Sequence, residues 1–375
     1  MNAVTQMVLD DAELVALHES IADVLTSECD SRALHLWLDR DNDLGTRLWT
    51  QAVDLGWLGL ALPEADGGLG LGAKGLQVLN SALGAAAAPG GFIPTLCIMQ
   101  WLAKVASAEQ REALLGPVLS GEASFVVAAS VDAEAPFAME GSTVTGSCVV
   151  LGGVPGATGA ELAVVPLANG WGIVRIDGEA ARLAPIDAWD LSRNLSHFEC
   201  ANVPLVVSIE DPAGDVGALL QSYVAIAIAA DSLGAARAIS LKTVEYMKER
   251  QQFDRPIASF QALRHRIADH FIKIATQDSL LEQAVQALDE GSPDAAMWAR
   301  ISKAGATEVF VFVAADCIQL HGGVGHTWEY DPHIYIKRAR LNEALLGNNR
   351  AMRDGALRAL DAALDEGRTT TELSA

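Results

Sequence analysis

The order of structural character along the chain is the strongest constraint on its fold. Residues 10–122 carry apolar side chains at helical spacing, in Ala12–Leu25, Leu36–Leu55, Gly75–Ala87, Pro94–Ala108 and Gln110–Leu119. Character changes at Ala123. Ser124–Ala129, Thr143–Leu151, Ala160–Pro166, Trp171–Ile176 and Leu195–Cys200 are short Val- and Ile-rich runs separated by Gly, Pro, Asp and Asn, which is the pattern of strands. From Asp215 the chain is helical again, in Val216–Gln252, Gln261–Gly291, Pro293–Gly322 and Tyr335–Gly367. A β block of roughly 90 residues between two helical blocks is an uncommon order, and it predicts an α+β multidomain fold. The expected parts are an N-terminal all-α domain over 1–122, a middle β-barrel or sandwich over 123–212, a C-terminal helical bundle over 213–367 and a polar tail over 368–375.

Formal net charge is −22. That field disfavours nucleic acid and anionic membranes as partners. It still permits a local anion site, and Arg250, Arg255, Arg264, His265 and Arg266 form a basic cluster in sequence. Cys29, Cys97, Cys148, Cys200 and Cys317 are scattered, with no C-x-x-C pair. No disulfide framework and no metal site are expected, and a reducing cytoplasm is. The first residues are acidic and lack a basic-then-apolar leader pattern. No run of about 18 uncharged apolar residues occurs, so no membrane span is expected.

Two segments carry chemistry. Glu249–Ile257, continuing to Phe260-Gln261, puts Arg250 and Phe253 where a long helix meets a proline-stopped bend. Gln319–Glu329 puts Gln319 beside Gly322, Gly323 and Gly325, so backbone can approach a ligand closely. Taken singly, Arg250 reads as a helix-end cation favoured by the helix dipole. Phe253 alone reads as core, and Gly322-Gly323 alone as a turn. Gly67–Gly72 has no preceding strand and reads as a connector, not a dinucleotide fingerprint.

Taken in order within this layout, the two segments resemble the cofactor-contacting motifs of the acyl-CoA dehydrogenase family of flavoproteins. Gly56–Leu60 with Pro63-Glu64 and Gly67–Gly70, and Ala88–Phe92 with Pro94, are similar to that family's N-terminal landmarks. The resemblance covers nearly the whole chain. It implies a C-terminal four-helix bundle, FAD, and an acyl-CoA thioester oxidised to the 2,3-enoyl-CoA in fatty-acid or steroid degradation. It also implies an electron-transfer flavoprotein or similar acceptor, and a homo- or hetero-oligomer (dimer or tetramer). The implied FAD contacts are Arg250, Gln252, Phe253, Phe260, Gln319, Gly322 and Gly323, made to the cofactor of a neighbouring subunit. A guanidinium suits a pyrophosphate because it makes paired, charge-assisted hydrogen bonds. Glycines let main chain lie against it.

The same comparison exposes losses. The position of the family's catalytic glutamate reads Leu346, followed by the retained Gly347. The alternative base position on the long helix maps to Val224, and a substrate-directed arginine maps to Ala225. The flavin-ring loop reads Ala129–Phe137 in place of a Thr-Glu-Pro-Gly loop, and Val149–Gly152 replaces a Trp-Ile-Thr motif. The groups offered to a neighbour's cofactor are kept, while those for the chain's own flavin ring and base are not.

Three readings are open on this basis. The chain is one subunit of an unlike pair whose partner supplies the glutamate. Or it is a self-sufficient dehydrogenase with a relocated base, Glu343 being the candidate because it lies three residues before Leu346 on one helical face. Or it is a flavin-dependent monooxygenase or non-catalytic protein of the same fold. Glu329 and Asp331 are further candidate acids, and His321 and His326 are expected near the cofactor without acting as bases. The small residues Ala225, Ala227, Ala229 and Ala230 are expected to leave room for a bulky acyl group.

Overall fold

The computed structural model describes residues 12–129, 137–153 and 160–368. Six helices come first: α1 (Ala12–Glu28), α2 (Ser31–Leu38), α3 (Leu44–Asp54), α4 (Gly72–Ala85), α5 (Phe92–Val105) and α6 (Ala108–Leu119). Their starts follow local chemistry. Asp30 accepts from the Ala33 N–H to cap α2, and Ser107 and Gln110 form a reciprocal capping box on α6.

Seven strands follow: β1 (Ala123–Ala128), β2 (Ala138–Glu140), β3 (Thr143–Gly152), β4 (Ala160–Leu167), β5 (Gly170–Ile176), β6 (Ala181–Pro185) and β7 (Leu195–Glu210). They form one sheet in the order β2-β3-β1-β4-β5-β7-β6, and an additional β3–β7 pairing closes it into a barrel. Alternation along the strands gives each a double duty. Phe125, Val127, Leu151, Leu162, Val164 and Ile173 face the helical core. Val126, Val150, Ala163, Val165 and Val174 fill the barrel interior with Phe137 and Phe198.

The C-terminal part holds α7 (Asp215–Glu249), the hairpin strands β8 (Gln251–Gln252) and β9 (Arg255–Pro256), α8 (Gln261–Asp289), α9 (Ala295–His321), α10 (Pro332–Ala344) and α11 (Asn349–Asp365). Three long helices and the α10–α11 pair make the bundle. Among the described residues α7 alone is long and apolar enough to cross a membrane, but 89% of its most apolar stretch is buried inside the fold. It is the central helix of the core.

Four expectations need correction. Leu36–Leu55 is two helices, because Asp39, Asp41, Asn42 and Asp43 are poor helix formers and Arg40 adopts a left-handed φ of 59°. Tyr335–Gly367 is likewise broken, at Leu346 (φ 60°) and Gly347 (φ 99°). Strands β2 and β6 are not among the expected strands, and β7 runs ten residues past Cys200. The α7 alanines do not make room. Ala225, Ala227, Ala229 and Ala230 are buried, and α7 lies so close to α4 that a Cβ on Gly84 would stand 2.0 Å from the Asp231 carbonyl oxygen. A Cβ on Gly234 would stand equally close to the Ser81 carbonyl oxygen. Small residues on this helix are a close-packing device. Residues 369–375 of the expected tail lie outside the described residues.

Candidate functional site

The end of α7 leads into the two-residue turn of the β8–β9 hairpin, where Gln252 pairs with Arg255. The turn residues Phe253 and Asp254 both have positive φ, 54° and 59°. Asn and Gly favour that geometry, whereas an aromatic residue there is strained by roughly 1–3 kcal/mol. Phe253 is also 85% exposed, so the reading of it as core is excluded. Its ring meets Phe260 edge-on at 6.1 Å, and the Arg255 guanidinium covers the Phe260 ring at 4.1 Å. Strain and exposure together mark a side chain held outward for something beyond this chain.

The second segment lies beside the first. Gln319 is exposed in the last turn of α9, and Gly322 ends that helix at φ 67°. No atom lies within 4 Å of a Cβ built on Gly322 or Gly323, so both backbones are open to a ligand. The Tyr246 hydroxyl donates to the His321 carbonyl oxygen at 3.1 Å, and the two rings stack at 4.2 Å. Met247, Ile257, Ile267 and Leu320 close a small apolar core beneath. Two segments some 70 positions apart thus form one surface. Arg250 caps the end of α7 and is exposed, with no ion pair among the described residues. Arg266, by contrast, is bound to Asp316. His321 is buried and its Nδ1 bonds to the Cys317 carbonyl oxygen, while His326 is exposed. An unpaired guanidinium, an outward aromatic ring and an unobstructed glycine backbone fit the nucleotide half of FAD.

The base position is the opposite kind of place. Leu346 is buried just past the end of α10, and its N–H donates to the Ala129 carbonyl oxygen at 2.8 Å. The end of β1 and the C-terminal helices are therefore tied there by a main-chain hydrogen bond. Behind the loop, the buried Lys303 Nζ donates to the carbonyl oxygens of Glu343 (2.8 Å) and Gly347 (2.7 Å). Burial pushes that ammonium down to about 8. The cavity bounded by Leu346, Ala225, Ser222, Arg300 and Met352 holds about 10 Å³, at most one water.

The candidate acids are occupied elsewhere. Glu343 does not share a helical face with Leu346, because α10 ends at Ala344, and its carboxylate accepts from Arg340 at 3.0 Å. Asp331 accepts from Ser31 and Lys242, and Glu329 is exposed. Val224 is core. On the flavin-ring side, Val150 faces the barrel interior and Leu151 the helical core. Residues 130–136 of the altered loop lie outside the described residues. A cleft of about 650 Å³ at Gly152-Gly153, bounded by Trp37, Arg40, Arg193 and Asn194, contains none of the expected cofactor contacts.

Sequence reasoning missed the buried ionic network. Asp231, fully buried on α7, accepts from Arg338 at 3.1 and 2.5 Å, from Asn342 at 2.7 Å, and pairs with Arg193 at 2.8 Å. Arg338 also donates to Ser192 Oγ and the Ala88 carbonyl oxygen. It missed too a Ser240–His270–Asp316 relay under the α9 terminus. No local signal separates these residues from ordinary surface charges.

Comparison with known proteins agrees with this architecture. Residues 11–122 match the acyl-CoA dehydrogenase N-terminal domain, and residues 222–360 match the acyl-CoA dehydrogenase C-terminal domain. The chain therefore belongs to the acyl-CoA dehydrogenase family, oxidoreductases that act on the CH–CH bond of acyl-CoA. It is 30% identical over 335 residues to acyl-CoA dehydrogenase IpdE2 of Mycobacterium tuberculosis, covering 89% of this chain and 93% of that one. The Tcur3481-Tcur3483 steroid ACAD (G363A variant) superposes with a TM-score of 0.83 at 27% identity, covering 94% and 99%. The ChsE4-ChsE5 complex of M. tuberculosis shares the fold, with a TM-score of 0.79 at 24% identity over 96% and 99%.

Proposed function

We propose that this chain is the base-lacking subunit of a heteromeric acyl-CoA dehydrogenase and acts by holding the FAD nucleotide of an unlike partner. The observation that carries this reading is the contrast between two places in the C-terminal part of the chain. Leu346 is sealed against Ala129 over a cavity of about 10 Å³, while Phe253 stands 85% exposed on a strained turn. In this reading Arg250 binds the diphosphate, and Gly322 and Gly323 admit it against main chain. Gln319 meets the adenosine half, and Gln252, Phe253 and Phe260 complete the edge. Bound FAD supplies the hydride acceptor. The partner supplies the carboxylate that takes the α-proton and the walls of the acyl pocket, since this chain's own α7 is packed shut.

The steroid ACAD named for two chains supports both the unlike pair and a ring-bearing acyl group as substrate class. An electron-transfer flavoprotein is the expected acceptor. Five free, buried thiols fit the reducing cytoplasm. No observation favours Glu343 as a relocated base, because Arg340 holds it at the surface.

The visible spectrum and mass of the purified chain test the reading. Expressed alone, the chain is colourless and inactive on acyl-CoA. Co-expressed with its unlike partner, it forms a yellow oligomer that turns over. A yellow chain that dehydrogenates acyl-CoA by itself contradicts the proposal.

A further inference from the structure

Beneath the proposed nucleotide surface, three helices are tied by one polar chain. Ser240 on α7 lies 3.2 Å from His270 Nδ1 on α8, and His270 Nε2 lies 2.9 Å from Asp316 Oδ2 on α9. Arg266, one turn earlier on α8, donates through Nε to both Asp316 oxygens at 3.1 and 3.2 Å. Ser240 and His270 are fully buried. Burial lowers the His270 pKa, with Asp316 opposing and Arg266 assisting. Burial thus favours the neutral ring. Its Nε2–H donates to the Asp316 carboxylate and its Nδ1 accepts the Ser240 hydroxyl.

The order Ser–His–Asp has the look of a hydrolytic triad, but Ser240 is fully buried and borders neither the cleft of about 650 Å³ nor the cavity of about 10 Å³. A nucleophile needs access to its substrate, so the relay has another use. Its placement says which. Asp316 stands one turn before Gln319, and Arg266 lies two turns into the helix that follows Phe260. These are the elements that carry the two halves of the proposed nucleotide surface. The apolar core joining them is small, with four buried residues, Met247, Ile257, Ile267 and Leu320, and partly buried neighbours such as Tyr246, Phe260 and Leu263. Side-chain packing sets a preferred helix crossing. A buried relay with defined hydrogen-bond directions adds a specific constraint on the ends that carry the surface.

We propose that His270 and Asp316 are positioning residues for the nucleotide surface: with Ser240 and Arg266 they form a strut that sets Gln319–Gly323 at a fixed place relative to Arg250. The proposal rests on the reading of this surface as an FAD site. It also gives Arg266 a separate role from Arg250: Asp316 holds its guanidinium, so it orients the site and does not bind phosphate.

Two measurements test it. In the assembled flavoprotein, His270→Ala raises the FAD dissociation constant about tenfold, the equivalent of one lost hydrogen bond to a charged group. His270→Gln keeps an N–H for Asp316 and stays within about twofold of the natural chain. Turnover at saturating FAD is unchanged in both. In the chain alone, amide exchange over 319–323 and 250–260 rises about tenfold in His270→Ala, while exchange in α4 stays the same. Ser240→Ala, which removes only the hydroxyl, gives the same pattern more weakly if His270→Ala fails to fold. An unsubstituted assembly without FAD overturns the cofactor reading, and the exchange measurement still decides the strut. Unchanged exchange at 319–323, or a rise spread evenly through α4 as well, overturns the strut whatever FAD does.

Discussion

Asp231→Ala lowers the unfolding free energy by about 3–5 kcal/mol, the largest stability loss expected from a single substitution in this chain. The reason is the imbalance of the network. One buried carboxylate faces two buried guanidiniums, Arg193 and Arg338, and also receives the Asn342 amide. Removing it leaves two like charges side by side in the core with only the nearby buried Asp190 to oppose them. Stability margins are about 5–15 kcal/mol in total, so the loss is a large part of what holds the fold. It is felt widely, because Arg338 reaches Ser192 before β7 and the turn before α5, and Asp231 belongs to α7. Arg193→Met costs less, since Asp231 keeps its bidentate bond to Arg338.

Denaturant midpoints rank the two variants. A loss below about 1 kcal/mol for Asp231→Ala would mean that the pair contributes no more than a surface ion pair. The pH dependence has a fixed sign. Burial raises the Asp231 pKa, but Arg193 and Arg338 more than offset that and hold it below its ordinary value. Its contribution is therefore complete above the unfolded carboxylate value of about 4 and is lost as pH falls through the lower folded value.

Arg250→Ala weakens FAD binding by the assembled enzyme about 10- to 100-fold and leaves the chain's own stability within about 0.5 kcal/mol. The two halves of that expectation come from one fact. Arg250 is exposed, makes no ion pair among the described residues, and contributes to its own fold mainly through backbone. A guanidinium facing a diphosphate makes paired charge-assisted hydrogen bonds that an ammonium cannot reproduce in geometry. Arg250→Lys therefore recovers only part of the affinity. Equilibrium titration of apo-assembly with FAD, beside thermal melts of the single chain, separates the effects. Equal FAD affinity in the alanine variant would remove Arg250 from the site.

Much of this was legible in the residues, and the failures have physical causes. The helical–β–helical order could be read because periodicity is a local property of side chains. The proposed nucleotide surface stands out for a related reason. Arg250 and Phe253 are exposed and Gly322 and Gly323 are open on one side, so packing does not disguise their chemistry. What could not be read depended on distant partners. Leu36–Leu55 and Tyr335–Gly367 each looked like one helix because Arg40 and Leu346 carry no sign of a left-handed backbone, which tertiary contacts impose on them. Leu346 is the clearer case, since the carbonyl that holds its N–H belongs to Ala129, over 200 residues earlier.

The α7 alanines on their own suggest room for an acyl group. Only the approach of α4, at Gly84 and Gly234, shows that they serve contact. Asp231, Arg193 and Arg338 look like surface charges one at a time and form a core only together. The short strands β2 and β6 extend the barrel at its edges, where too few residues repeat for alternation to register.

The most direct test is a structure of the flavin-loaded assembly of this chain with its unlike partner. The account predicts the Arg250 guanidinium within hydrogen-bond reach, about 3 Å, of a diphosphate oxygen of FAD whose ring lies in the other chain, with Gly322 and Gly323 along the same nucleotide. An FAD ring seated beside Leu346 of this chain, or a diphosphate remote from both segments, would contradict it.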